Sequence, residues 1–172
     1  KVLVLTCGLS ATLLLLCFSY LNQLFSESNI TSSRNFYGLL SVKDVEVNGV
    51  LERRLIDGST SHGTQRQTTN NVADLTPMSY YRADTGVALA LEQSRTEEPL
   101  KAAVIGLGAG TLAAYGKAGD VFDFYELNPN VELMANQYFT YLSHSQAEVN
   151  VIIGDGRVSL QKRLDERGGL QY

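Results

Sequence analysis

The sequence predicts an α/β fold. A parallel sheet of strand–helix units fills the second half, preceded by a small antiparallel β unit and an N-terminal apolar helix. Three observations predict it. From residue 101 onward, short apolar runs alternate with helical patterns, the spacing that βαβ units produce. A glycine-rich run, Gly106-Leu107-Gly108-Ala109-Gly110, follows the first of those strands. Asn48-Gly49 separates two β-rich runs, the strongest short-range hairpin signal, because both turn residues accept positive φ. With 172 residues, 44% of them apolar, the chain has material for a real core. Its net charge of -4 argues against a nucleic-acid-binding face, which would be basic.

Residues 2–21, VLVLTCGLSATLLLLCFSYL, open the chain, and no charge occurs from 2 through 26. An apolar run of about 20 residues is long enough to span a bilayer as a helix. A secretory signal would be shorter and carry a small-residue cleavage site, and a buried core helix is the third alternative. The expectation is a transmembrane helix over 1–24, which would place the protein at a membrane with its folded part in the cytoplasm. Cys7 and Cys17 both lie in this run. On one helix they sit roughly 15 Å apart, too far for a disulfide, and no metal-ligating cluster is evident. Residues 25–34 are polar and read as a linker. Asn29-Ile30-Thr31 is a formal glycosylation sequon, relevant only on a lumenal loop.

Strands are expected over 36–47 and Val50–Asp57, with Asp57-Gly58 as the next turn, so 35–77 reads as a β-hairpin domain. Residues 59–77 are polar and loop-like. A helix is expected over 84–95, with Val87, Ala88, Ala90 and Leu91 as its apolar residues and Pro99 beyond its end. Residues 78–172 form the second domain. Lys101–Ile105 is a buried strand, Thr111–Tyr115 a short helix and Val121–Glu126 a strand. Asn128 caps the next helix and Pro129 takes its first turn. Val131, Met134, Ala135, Tyr138, Tyr141 and Leu142 form that helix's apolar stripe. A third strand covers 149–153 and a third helix 157–167, ending at Gly168-Gly169. The chain starts at Lys1 and stops at Tyr172 in what reads as the approach to a strand, so a fragment of a longer protein is expected.

The chemistry concentrates at three strand ends. Glycines let the backbone turn tightly and approach a ligand closely. In Gly106, Gly108 and Gly110 the third glycine comes one residue earlier than in the dinucleotide pattern. Glu126 ends the next strand, 20 residues after Gly106, where a carboxylate accepts both hydroxyl protons of a ribose; the plain alternative is a solvated strand-end glutamate. Asp155, between Gly154 and Gly156, ends the third strand. It is placed to accept from the exocyclic amine of an adenine, or to cap the following helix.

Gly106 to Gly110, Tyr125-Glu126-Leu127-Asn128-Pro129 and Gly154-Asp155-Gly156 together resemble the three nucleoside-binding motifs of the spermidine synthases (polyamine aminopropyltransferases). Upstream, Leu55-Ile56-Asp57-Gly58 and His62-Gly63-Thr64-Gln65 are similar to that family's N-terminal β-domain, and Tyr80-Tyr81 resembles its tyrosine site. The resemblance covers about 35–172. With the apolar helix it points to the membrane-fused subgroup, in which a transporter-like part precedes the synthase.

The resemblance implies a class I methyltransferase-like Rossmann fold with a truncated parallel sheet. It implies aminopropyl transfer from decarboxylated S-adenosylmethionine to putrescine or a related amine. Cofactor-binding roles fall to Gln65, Tyr81, Gly106, Gly108, Gly110, Glu126, Asp155 and Gly156, and substrate-binding roles to His62 and Tyr80; His62 alone reads more readily as a loop or structural histidine. The family's catalytic aspartate would fall beyond Tyr172, so this chain alone should be inactive. A homodimer is left open. Ala109 stands where the family has an aspartate that holds the donor's amine, and Arg82-Ala83 follows Tyr81 where the family has a polar pair. Ordinary S-adenosylmethionine and methyl transfer are therefore the second expectation. A non-catalytic nucleoside- or polyamine-sensing domain of a membrane transporter is the third.

Overall fold

The computed structural model describes residues 2–26, 29–68 and 72–167. The order is α1 (Val2–Ser26), β1 (Asn29–Asn35), β2 (Gly38–Val47), β3 (Val50–Asp57), β4 (Thr60–Arg66), α2 (Gly86–Gln93), β5 (Lys101–Ile105), β6 (Val121–Glu126), α3 (Pro129–Tyr138), β7 (Glu148–Ile153) and α4 (Gly156–Arg167). Short 3₁₀ turns occupy Ser79–Tyr81 and Thr111–Tyr115. The fold is mixed α/β, with an antiparallel four-stranded sheet in the order β1-β2-β3-β4 and a separate three-stranded parallel sheet in the order β5-β6-β7.

The N-terminal helix forms, but the transmembrane expectation does not stand. Among the described residues, no helix is long and apolar enough to cross a membrane. Leu13, Leu14, Leu15 and Leu16 make a short apolar run, and Thr6, Ser10, Thr12, Ser19, Asn22 and Gln23 dilute the hydropathy around it. The membrane localisation drawn from a spanning helix falls with it.

The antiparallel sheet is larger than expected. Asn48 (φ 52°) and Gly49 (φ 77°) make the anticipated tight turn, and Val47 pairs with Val50 across it. Leu40, Val42 and Leu55 are buried under the sheet. The supposed linker instead supplies β1, which pairs along β2, and β4 lies inside the supposed loop. Both are polar strands, formed because β2 and β3 present open edges rather than because of their own apolar pattern. The helix expected over 84–95 is shorter, and residues 111–115 form a 3₁₀ turn. Asn128 caps α3 by accepting from the Asn130 N–H at 3.1 Å. The helix stops at Tyr138, so Tyr141 and Leu142 lie beyond it. The Gly168-Gly169 ending lies outside the described residues.

One core joins both sheets: Leu40, Val42 and Leu55 pack with Leu107, Leu112, Phe122, Phe124, Val131 and Met134. Polar joints fasten the two halves together. The Asn35 amide donates to Asn128 Oδ1 at 2.6 Å, and the Asn130 amide to Ser33 Oγ at 2.9 Å. The Arg53 guanidinium donates to the Tyr138 carbonyl at 3.3 Å, and the buried Tyr141 hydroxyl donates to the Thr64 carbonyl at 2.9 Å.

Asp120 ties the start of the parallel sheet together. Its carboxylate accepts from the Leu100 and Lys117 N–H groups, each at 2.8 Å, and from Arg95 at 2.9 Å. Burial alone would raise its pKa, but these donors hold it below the ordinary carboxylate value. Asp120 is 3% exposed, and breaking such a buried pair costs about 3–5 kcal/mol. Asp120→Ala is expected to lower stability by that order in urea denaturation. Because the folded pKa is depressed, the stabilisation is full above the ordinary carboxylate pKa and fades as pH falls through the folded value. The gap between wild type and Asp120→Asn should therefore close below about pH 4.

Candidate functional site

Parallel register brings the strand ends level. Ile105 pairs with Tyr125 and Glu126 with Ile153, so the C-terminal ends of β5, β6 and β7 meet on one edge, where open α/β sheets bind ligands. The antiparallel sheet closes over that edge. Between them lies a cavity of about 460 Å³, to which His62, Tyr81, Gly106, Gly108 and Glu126 all contribute.

The glycine loop is shaped by close approach. Gly108 has φ +55°, and a Cβ there would lie 2.4 Å from the His62 carbonyl oxygen. Gly110 has φ +78°, and its Cβ would strike Leu142 at 2.6 Å. Gly106 differs: its φ is +90°, yet a Cβ would meet nothing within 4 Å. Gly108 and Gly110 thus serve packing, whereas Gly106 faces open space in the cavity wall. Ala109 is buried and faces β4; a Cβ on Gly63 would lie 2.4 Å from the Ala109 methyl.

Glu126 is buried and held by two backbone amides. Oε2 accepts from the Leu107 N–H at 2.9 Å and Oε1 from the Asn128 N–H at 2.8 Å. A carboxylate has about four acceptor sites, so each oxygen retains one beyond the amide it already holds. The glutamate is aimed by the loop and the helix start on either side of it.

A β-bulge presents His62. Leu55 pairs with Gly63 and Ile56 with Ser61, which leaves His62 as the extra residue; bulges commonly re-aim a side chain beside a site. His62 lines the cavity, and its carbonyl accepts from the Ala109 N–H at 3.4 Å. Tyr81 lines the cavity with its hydroxyl near Gly108. Burial, and then its neighbour Tyr80, push the Tyr81 phenol well above its ordinary pKa, so it is a neutral hydrogen-bond donor at physiological pH. The Tyr80 and Tyr81 rings touch, with centroids 4.4 Å apart.

Other expected site residues stand apart. Gln65 is buried and occupied, donating to Thr140 Oγ1 at 2.5 Å and to the Asp74 carbonyl at 3.0 Å while accepting from the Thr140 N–H at 3.0 Å. It borders a different, polar cavity with Arg53, Arg66 and His144. Tyr80 is half exposed and donates to the Ser61 carbonyl. Asp155 is exposed and takes the capping role, accepting from the Val158 N–H at 3.0 Å. Gly156 packs behind the cavity: a Cβ there would lie 3.2 Å from Ile105 Cγ2.

The structure adds Tyr37, Leu40, Leu55, Asp57, Ile105, Leu127, Asn128 and Val131 to the cavity wall. Asp57 is marked by the sequence as a turn residue within the Leu55-Ile56-Asp57-Gly58 stretch and given no ligand role. Its two-residue offset from Leu55 on a strand, which places both on one face, was the available signal. Among the described residues, no lysine or arginine lines this cavity, and its carboxylates are Asp57 and Glu126. No protein-family model, curated protein or solved structure matches the chain.

The contrast between the glycines is testable. Gly49 has φ +77° in open space, so Gly49→Ala is expected to cost only about 1–2 kcal/mol of left-handed strain. Gly108→Ala adds a clash with fixed backbone, and its urea midpoint should fall clearly further. Equal losses for the two variants would show that the loop does not press on β4.

Proposed function

We propose that the cavity binds a cationic adenine nucleoside and serves aminopropyl transfer of the spermidine synthase type. Decarboxylated S-adenosylmethionine would be the donor, and putrescine or a related amine the acceptor. The finer fold assignment, a class I methyltransferase-like Rossmann domain, belongs to the same proposal. The observation that carries it is Glu126, fixed by two backbone amides beside the open face of Gly106 in a cavity that, among the described residues, no lysine or arginine lines. The remaining acceptor sites of Glu126 suit the two hydroxyls of a ribose. A pyrophosphate would find no cation here, which disfavours a nicotinamide dinucleotide.

The chemistry needs little covalent help. The amine nitrogen attacks the propyl carbon next to the sulfonium; the C–N bond forms, the C–S bond breaks, and its electron pair leaves with the neutral thioether nucleoside. The protein must align the two reactants and receive the proton that the amine loses. Tyr81, held neutral, suits alignment rather than proton removal. Asp57 and Glu126 favour a ligand carrying positive charge.

Methyl transfer from ordinary S-adenosylmethionine is the second reading, favoured by Ala109, which gives the glycine loop no carboxylate. Against it, the donor's own carboxylate would enter a cavity already negative. Titration calorimetry with the two nucleosides separates the readings. Decarboxylated S-adenosylmethionine is expected to bind about tenfold tighter or more. Preference for the ordinary form would select methyl transfer, and binding of neither would overturn both. Glu126→Gln replaces a charged acceptor worth about 1.5–3 kcal/mol. It is expected to weaken the nucleoside roughly 10- to 100-fold.

A further inference from the structure

We propose that Asp57 is a subsite for a primary ammonium group carried by the ligand, a role that rests on the nucleoside reading of the cavity and extends it to the opposite wall. Asp57 ends β3 at the turn into β4, opposite Leu40 and Thr60. Asp57 lines the cavity together with Leu40, Leu55 and Tyr37. Three other acids of this region are matched: Asp44 holds Arg53 at 2.9 Å, Glu52 holds Arg54 at 2.6 Å and Asp74 holds Arg66 at 3.1 Å. Among the described residues, Asp57 has no such cation. A half-buried carboxylate beside leucine side chains is poorly solvated and gains from a cationic partner.

Gly38 keeps this carboxylate open. It sits on the neighbouring strand with φ +140°, and a Cβ there would lie 3.1 Å from Asp57 Oδ1. Any larger residue at 38 would crowd the acid from one side. The opposite wall carries one other carboxylate, Glu126, whose remaining acceptor sites the nucleoside reading gives to the ribose hydroxyls. Ala109 faces β4, and each Glu126 oxygen already holds a backbone amide. A primary ammonium offers three donors, and a charge-assisted hydrogen bond to a carboxylate is about twice as strong as a neutral one. The ammonium could belong to the aminopropyl chain of the donor or to the acceptor amine.

The test compares ligands with and without that group. Decarboxylated S-adenosylmethionine and putrescine carry an ammonium; 5′-methylthioadenosine has the same nucleoside and thioether but none. Each is titrated calorimetrically into wild type and Asp57→Asn, putrescine onto protein already loaded with methylthioadenosine. Asp57→Asn is expected to weaken an ammonium-bearing ligand by roughly 10- to 100-fold and to leave methylthioadenosine unchanged. A loss on the decarboxylated nucleoside assigns the ammonium to the donor; a loss on putrescine assigns it to the acceptor. Asp57→Glu keeps the charge and should retain most of the affinity. The proposal is overturned if neither ammonium ligand weakens, if methylthioadenosine weakens equally, or if Asp57→Glu loses as much as Asp57→Asn. Intact nucleoside binding with an indifferent Asp57 would refute this subsite alone. A wild type that binds none of the three would overturn the nucleoside reading and the subsite with it.

Discussion

The structure depends on one backbone approach, where His62 and Gly63 of β4 press against Gly108 and Ala109 of the glycine loop. Neither Gly63 nor Gly108 has room for a Cβ, since each would come within 2.4 Å of an atom across the junction. The hydrogen bond between them, from the Ala109 N–H to the His62 carbonyl at 3.4 Å, is long and weak. Packing therefore holds the junction. Where the two backbones meet, the antiparallel sheet becomes a wall of the cavity rather than a neighbour of it. The bulge at His62 is the local distortion at which β4 makes this contact.

Around that junction the polar joints divide the labour. Gln65 spends its amide on Thr140 and Asp74, locking the segment after α3 against β4. Asn128 works twice, capping α3 and accepting from Asn35. Arg53 joins Asp44 to the end of α3. Arg53, Arg54 and Arg66 of the antiparallel sheet are thus committed to structural carboxylates, and among the described residues the cavity is lined by Asp57 and Glu126 but by no lysine or arginine. The electrostatic character of the site follows from where the cations went as much as from which acids face it.

Local signals carried most of what the sequence revealed. Asn48-Gly49 announced its hairpin because positive φ at two successive positions is a property of those residues themselves. Asn128-Pro129 announced a helix start for the same kind of reason. Glu126 could be placed because a strand, a glycine loop and an acid at fixed spacing are all within one stretch of chain. β1 was hidden because NITSSRN has no apolar alternation; its strand character comes from the edge of β2. Gln65 was taken for a ligand contact, since its real partner, Thr140, is 75 residues away. Asp155 showed both of its readings in the sequence, and the geometry realises the cap. The apolar start of the chain invites a membrane reading through its leucines, but among the described residues no helix is long and apolar enough to cross.

The joints also bear on the order in which the molecule assembles. The antiparallel meander and the strand–helix units are each built from neighbours in sequence, so their contacts close short loops. The ties between them do not: Asn35 reaches Asn128 across 93 residues, and Asn130 reaches Ser33 across 97. Loop closure over such separations is entropically late, since its cost precedes its reward. The two halves can each take shape while the space between them does not yet exist. The cavity is then a product of the last docking event, and a ligand spanning both walls would act on the fold as a clasp, drawing the docked state forward by mass action.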